Sequence, residues 1–228
     1  MTAEGGVTLL EGRYPLFRRG KVRDTFDLGD GTLLMVASDR ISAFDVVLPT
    51  PIPGKGRVLT EMSRWWFERT EHIIPNHLAR VSPPLPGVVP EVDDLAGRAM
   101  RVSRAKRIDI ECVVRGHLSG SGWKEYNESG TLAAEPLPDG LAESSPLPEP
   151  RFTRAAKHDD GHDVNISRSE LAHQVGTTLA ERLEDVSLSL FAFGVSRCAE
   201  AGIILADTKF EFGLLGDDLI LIDELLTP

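Results

Sequence analysis

An α+β protein, with a cleft between two lobes, is the fold that this sequence predicts. Three observations lead there. Short strand signals joined by tight turns fill the first third, one strong amphipathic helical pattern comes late, and a strand hairpin follows it. The expected division is a β-rich N-terminal lobe over 1–102 and a larger α/β lobe over 103–228.

The elements follow in chain order. Lys21 to Leu28 and Thr32 to Ala37 flank Gly29-Asp30-Gly31, a hairpin signal. Phe44 to Leu48 reads as a third strand, closed by the proline-rich Pro49 to Pro53. Residues 59–70 read as a helix with Trp65, Trp66 and Phe67 as its aromatic bulk. Ala99 to Val102 and Ile108 to Val114 are apolar strands separated by a basic segment. A break at Arg115-Gly116 precedes a short helix over 121–128. Residues 131–165, with Pro136, Pro138, Pro146, Pro148 and Pro150, read as a long loop, a length usual for functional or disordered segments. Ser167-Arg168-Ser169-Glu170 is a capping box. Leu171, Val175, Leu179, Leu183, Val186 and Leu190 then recur at spacings of 4, 4, 4, 3 and 4, which predicts one long helix ending near Gly202.

The strand after that helix carries the densest chemistry. In Asp207-Thr208-Lys209-Phe210-Glu211-Phe212-Gly213, alternation puts Asp207, Lys209 and Glu211 on one face and Phe210 and Phe212 on the other. Gly216-Asp217-Asp218 is a turn signal, and Leu219 to Asp223 is a second short strand. A three-residue loop would pair Leu215 with Leu219 and set Glu211 opposite Asp223. Opposed carboxylates lie about 5 Å apart at Cβ and repel unless a cation separates them. Two carboxylates beside a lysine suit a magnesium–phosphate site.

Composition narrows the partners. A net charge of −10 argues against nucleic acid and anionic membranes as partners. Basic residues are clustered instead, at Arg13, Arg18, Arg19, Lys21 and Arg23, and at Arg98, Arg101, Arg104, Lys106 and Arg107. Such clusters suit small anions, or solvated strand edges. Cys112 and Cys198 lie far apart in apolar surroundings and read as free thiols of a reducing compartment. With no basic-then-apolar leader and no membrane-length apolar run, a soluble cytoplasmic protein is expected.

Four further segments hold polar chemistry. Arg19-Gly20-Lys21-Val22-Arg23-Asp24 puts a glycine among cations at a hairpin entry, either as a structural turn, which favours glycine, or as a loop whose main-chain N–H groups approach phosphate; it is not a Walker motif. Ser38-Asp39-Arg40-Ile41-Ser42-Ala43-Phe44-Asp45 is either a self-capping turn or the polar wall of a pocket. Arg115, at the end of a buried strand before Gly116, Ser119, Gly120, Ser121 and Gly122, either forks onto a phosphate or carboxylate ligand or forms a structural pair with an aspartate beside a glycine-rich turn. Lys157-His158-Asp159-Asp160-Gly161-His162-Asp163 lacks zinc spacing and reads as a substrate-facing or solvated loop. His72, His77 and His173 stand alone as structural or exposed residues.

Taken together, these segments resemble the SAICAR synthetase family, the phosphoribosylaminoimidazole-succinocarboxamide synthases of purine biosynthesis. The matching residues are Gly20-Lys21-Val22-Arg23-Asp24, Ser38 to Asp45, Val113-Val114-Arg115-Gly116, Ser119-Gly120-Ser121 and Trp123-Lys124-Glu125-Tyr126. Leu147-Pro148-Glu149-Pro150, His162-Asp163, Asn165-Ile166-Ser167, Asp207 to Gly213 and Asp223-Glu224 also match, in family order. The resemblance implies a kinase-like or ATP-grasp-like two-lobe fold and an ATP-dependent carboxylate–amine ligase. In the family, ATP phosphorylates the carboxylate of carboxyaminoimidazole ribonucleotide, and the aspartate amine then attacks the acyl phosphate.

Carried over by position, the resemblance implies that Gly20, Lys21, Val22 and Arg23 cover the ATP phosphates, with Lys106 in a hinge segment beside adenine. Glu211 and Asp223 would hold Mg2+. Lys209 and Asp207 would be catalytic, and Asp39, Ser42, Arg115, Ser121, Lys157, His162 and Asp163 would line the substrate site. The implied partners are a small-molecule ribonucleotide and an amino acid.

The chain departs from the family mainly on the substrate side. Arg154 and Ala156 stand where the family's Phe-Thr-Pro-x-Thr-Lys has proline and threonine, Val164 replaces a glutamate, and Gly122 replaces an alanine. After Pro228 the family continues with Asp-Ser-Ser-Arg and further helices. A lobe without them would expose apolar surface that a second copy could cover. An alternative expectation is therefore a paralogue with an altered substrate in specialised purine-like nucleoside biosynthesis. A non-catalytic nucleotide-binding relative is a further one, against which the retained Lys209, Glu211 and Asp223 argue.

Overall fold

Asp24 and Phe26, alternate residues of one strand, are both buried, and the strand after it is buried almost throughout. The computed structural model describes residues 10–43, 46–79, 95, 97–156 and 164–227. They fall into two units. The first takes 1–71, 75–106 and 214–228, and the second takes 72–74 and 107–213.

The first unit is built on an antiparallel sheet of order β1-β2-β3-β6, from β1 (Leu16–Arg19), β2 (Arg23–Asp27), β3 (Thr32–Ala37) and β6 (Ala99–Ser103). The expected hairpin forms at Gly29-Asp30-Gly31, with both glycines at positive φ. Phe26, Leu34, Val36 and Ala99 meet Leu10 and Leu95 in its core. The expected strand at Phe44 to Leu48 is a small pair, β4 (Ser42–Ala43) with β5 (Val46–Val47); Phe44 and Asp45 lie outside the described residues.

Helix α1 (Lys55–Thr70) begins four residues before the expected start at Leu59. Its cap is not local. Asp39 accepts from the N–H groups of Gly54 and Gly56, at 3.2 and 3.0 Å. A Cβ on Gly56 would lie 2.6 Å from Ala37 O, so only glycine lets the helix come this close to β3.

A distant strand completes the unit. β13 (Asp218–Ile222) is fastened through residues 75–79: Leu221 N–H donates to Pro75 O at 2.9 Å, and His77 N–H to Leu221 O at 3.0 Å. On the other side, Ser103 N–H donates to His77 O at 2.7 Å and Ala79 N–H to Arg101 O at 3.1 Å. The C-terminal segment thus belongs physically with the N-terminal sheet.

In the second unit the strands run in the order β11-β10-β7-β12, from β11 (Val164–Asn165), β10 (Pro146–Ala156), β7 (Lys106–His117) and β12 (Asp207–Leu215). Helix α2 (Gly120–Ser129) follows β7, and β8 (Thr131–Leu132) pairs with β9 (Glu135–Pro136) beyond it. Leu118, Leu132, Leu137 and Leu147 form a core beside Trp123 and Tyr126. Helices α3 (Arg168–Val175) and α4 (Thr177–Glu200) complete the unit.

Three expectations need correction. Residues 131–165 are not a long loop, because β10 occupies eleven of them. Its prolines fall where the ladder with β7 is irregular, between Pro146 and Arg151, so their missing N–H groups cost little. Regular pairing then runs from Arg151 to Ala156. The single long helix is two: the Ser167–Glu170 capping box starts α3 as expected, but Gly176, at φ 86 and ψ 149, breaks the run. After the break the buried stripe resets to Ala180, Leu183, Val186, Leu190 and Phe191, and Leu179 leaves it. The loop after β12 is two residues, Gly216 and Asp217, since Asp218 already belongs to β13. Strand alternation therefore no longer sets Glu211 opposite Asp223, which lies one residue past β13 at φ 70.

Candidate active site

In the first unit the polar residues gather on the turn between β1 and β2. Arg19 pairs with Asp24, and the four residues between them make a tight turn closed by Gly20 N–H on Arg23 O at 2.8 Å. A Cβ on Gly20 would meet that carbonyl at 2.5 Å, so the turn requires glycine. Arg23 leaves the turn and forks onto two carboxylates, Nη1 on Asp223 Oδ1 and Nη2 on Glu224 Oε2 at 2.5 Å. Burial works against the charged guanidinium, but Asp223 and Glu224 outweigh it and hold Arg23 above its ordinary pKa.

Buried His77 lies behind this pair. Burial pushes its ring down to about 3, the Arg23 charge adds to that, and a hydrogen bond to the Asp223 main chain opposes it. His77 is therefore a neutral imidazole that touches the backbone at the point where Asp223 turns to positive φ.

Asp39 is engaged from two sides. Besides the helix N–H groups, it receives Arg98, Nη1 to Oδ1 at 2.9 Å and Nη2 to Oδ2 at 3.4 Å. Of the self-capping turn expected at Ser38 to Asp45, the part seen is Ser38 Oγ accepting Arg40 N–H at 3.3 Å; Asp39 caps α1 instead, and Ser38 and Arg40 donate to carbonyls of the Gly20 turn. Ser42 lies in β4 opposite Val47, and Lys106 opens β7 as an exposed residue at the edge of the first unit. Lys157, His162 and Asp163 lie outside the described residues.

In the second unit, β7 and β12 present two adjoining clusters. Arg115 near the end of β7 donates from Nη1 to Asp207 Oδ2 at 2.8 Å and from Nη2 to Ser121 Oγ at 2.9 Å. Ser121 sits in the first turn of α2, which the glycine-rich Ser119 to Gly122 opens. Lys209 Nζ bridges Glu211 Oε1 at 2.9 Å and Glu111 Oε1 at 3.0 Å. Burial opposes the ammonium charge, but Glu211 and Glu111 outweigh it and raise the Lys209 pKa above its ordinary value. Phe210 and Phe212 are fully buried on the other face, as alternation requires.

Glu111 was not among the expected site residues. Its neighbour across the sheet is 98 positions away in sequence, so no local spacing marks it. The visible signal is a pair of carboxylates, Asp109 and Glu111, at alternate positions of the otherwise apolar strand Ile108-Asp109-Ile110-Glu111-Cys112-Val113-Val114, on the face opposite the buried Ile110, Cys112 and Val114.

Among the described residues, no group of three or more His, Cys, Asp or Glu is arranged to hold a metal, and no helix is long and apolar enough to cross a membrane. The fold and these clusters define an α+β enzyme equipped for anionic small molecules: a cationic glycine turn in one unit, and an arginine and a lysine fixed by carboxylates in the other.

Comparison with known proteins narrows the class. Residues 16–228 match the family model described as SAICAR synthetase. A phosphoribosylaminoimidazole-succinocarboxamide synthase of Desulfosudis oleivorans is 51% identical over 216 residues, covering 93% of this chain and 73% of that protein. The solved SAICAR synthase of Saccharomyces cerevisiae complexed with SAICAR superposes with a TM-score of 0.88 at 41% identity, covering 96% of this chain and 75% of that one. A SAICAR synthetase solved in complex with ADP superposes at 0.73 with 26% identity, covering 91% and 79% of the two chains. The chain belongs to the SAICAR synthetase family, ATP-dependent ligases of purine biosynthesis. These relatives favour the purine-pathway ligase over a paralogue with an altered substrate or a non-catalytic relative.

Proposed function

We propose that this chain joins aspartate to carboxyaminoimidazole ribonucleotide with ATP, and that the two clusters divide the work. The observation that carries this reading is the row on β12, where Asp207 holds Arg115 and Lys209 lies between Glu111 and Glu211. Phosphoryl transfer to a carboxylate needs charge neutralisation and positioning more than a nucleophile of the protein. A fixed guanidinium and a fixed ammonium are the parts for that.

In this reading Arg115 and Ser121 bind the anionic ribonucleotide, Asp207 orients Arg115, and Lys209 stabilises charge developing on the transferred phosphoryl group. Asp39, Ser42, Lys157, His162 and Asp163 complete the substrate contacts carried over from the family. Gly20, Lys21, Val22 and Arg23 cover the nucleotide phosphates, with Lys106 alongside the base.

Glu211 and Asp223 are the proposed magnesium ligands. The donor chemistry fits, because Mg2+ takes one or two carboxylates and fills its remaining positions with water and phosphate oxygens. When bound, the ion would neutralise charge on the phosphates. Two free cysteines agree with a reducing, cytoplasmic setting.

The test is an incubation with carboxyaminoimidazole ribonucleotide, aspartate and Mg·ATP, followed for ADP and for the succinocarboxamide by mass. Both products are expected, each dependent on all three substrates. ADP release that needs the ribonucleotide but not aspartate would point to a different amine. Absence of ATP binding would overturn the reading.

A further inference from the structure

The turn Gly20–Arg23 has four main-chain carbonyls, and the protein itself supplies a donor to each. Arg23 O receives Gly20 N–H. Val22 O receives Ser38 twice, from its N–H at 2.9 Å and its hydroxyl at 2.8 Å. Arg40 takes the other two, Nε on Lys21 O at 2.9 Å and Nη2 on Gly20 O at 3.3 Å. The same guanidinium lies 3.3 Å from buried Asp24 at the foot of the turn.

Asp39, between the two gripping residues, is rooted in the opposite direction, on the start of α1 and on Arg98. Ser38-Asp39-Arg40 therefore works as a clamp, anchored at its middle residue and closed on the turn at its ends. A turn that receives phosphate has to direct its carbonyl dipoles away from the anion and its N–H groups toward it. Holding every carbonyl on a donor of the protein sets that orientation before the ligand arrives, which lowers the ordering cost of binding. Arginine suits the task because its planar fork spans two carbonyls and a carboxylate, which an ammonium cannot do in one geometry.

We propose that Arg40 is a positioning residue for nucleotide binding, acting through the carbonyls of Gly20 and Lys21. The proposal rests on reading Gly20–Arg23 as the phosphate-covering turn. It is tested by calorimetric binding of Mg·ATP, and separately of the ribonucleotide, to Arg40→Gln, Arg40→Lys and Gly20→Ala, each checked for its melting temperature. Arg40→Lys keeps a cation beside Asp24 and serves if Arg40→Gln does not fold. Both Arg40 variants are expected to weaken Mg·ATP about tenfold while ribonucleotide affinity is unchanged. A folded Arg40→Lys with wild-type ATP affinity, beside a Gly20→Ala that binds ATP poorly, would overturn the role of Arg40 alone. If Gly20→Ala also binds ATP normally, the turn does not cover phosphate, and the proposal falls with that reading.

Discussion

Arg23 and Asp223, two hundred positions apart in sequence, form an ion pair that ties the Gly20 turn to the segment just past β13. Glu224 takes the second arm of the same guanidinium. The pair joins a residue proposed to cover phosphate to a residue proposed to hold magnesium, so it serves the site and the stability of the first unit together. Arg23→Met removes the cation and leaves both carboxylates behind. The expected loss is about 2 kcal/mol, less than the ~3–5 kcal/mol of a fully buried pair because Asp223 and Glu224 stay partly exposed. Urea denaturation measures it. Adding Asp223→Asn and Glu224→Gln to Arg23→Met should recover part of the loss, and a strictly additive result would show that the pair is not coupled.

Lys209 leads to a different balance. Its side chain is 44% exposed, but Lys209→Met leaves Glu111 and Glu211, both largely buried, without their shared cation, so it should cost about 2 kcal/mol. Activity should fall far more, by about a thousandfold in kcat/KM, if Lys209 stabilises transferring charge. Glu111→Gln leaves the lysine with one carboxylate partner at this contact and should cost about tenfold. Equal losses of stability and activity in Lys209→Met would instead assign the residue to the fold.

How much of this was legible in the sequence depends on range. The face shared by Asp207, Lys209 and Glu211, the Gly29–Gly31 hairpin and the Ser167 capping box all follow from neighbours within four positions, and all are present. What failed needed information from elsewhere in the chain. The prolines of β10 are tolerated because β7 offers an irregular ladder there. The start of α1 depends on Asp39, fifteen residues upstream of Gly54. One residue of turn length at Gly216 decided a register on which the pairing of two carboxylates had been based. Gly176, by contrast, was visible, and its break in the helix shows that a period can continue through a glycine while the backbone does not.

The two cysteines should separate by reactivity. Burial pushes the Cys112 thiol up to about 12, and the neighbouring carboxylates of Glu111 and Glu211 add to the shift against a hydrogen bond with Ser187. Cys198 is only partly buried, and burial raises its thiol as well. Since the thiolate is the reactive form, iodoacetamide at pH 8 should label Cys198 in the native protein and Cys112 only after unfolding. Peptide mass mapping with and without denaturant reads both sites. Rapid native labelling of Cys112 would mean that the second unit opens locally around β7.

Asp39 should give the first unit an acid-sensitive share of its stability. Burial alone would raise its carboxyl, but Arg98 and the N–H groups of Gly56 and Gly54 outweigh burial and hold it below its usual value. A carboxyl depressed in the folded state stabilises fully above its unfolded value, near 4, and loses that contribution as pH falls through the lower folded value. In that window the unfolded chain binds a proton that the folded chain refuses. Asp39→Asn removes the charge while keeping one acceptor oxygen, so it should cost about 1–2 kcal/mol at pH 7. The gap between variant and wild type should narrow as pH drops below about 4, because the wild-type carboxyl is then neutral as well. Paired urea titrations at pH 7, 5, 4 and 3.5 follow it. A gap that stays constant across the series would assign the contribution to the shape of the cap at Gly54 and Gly56, with the ion pair to Arg98 contributing nothing measurable.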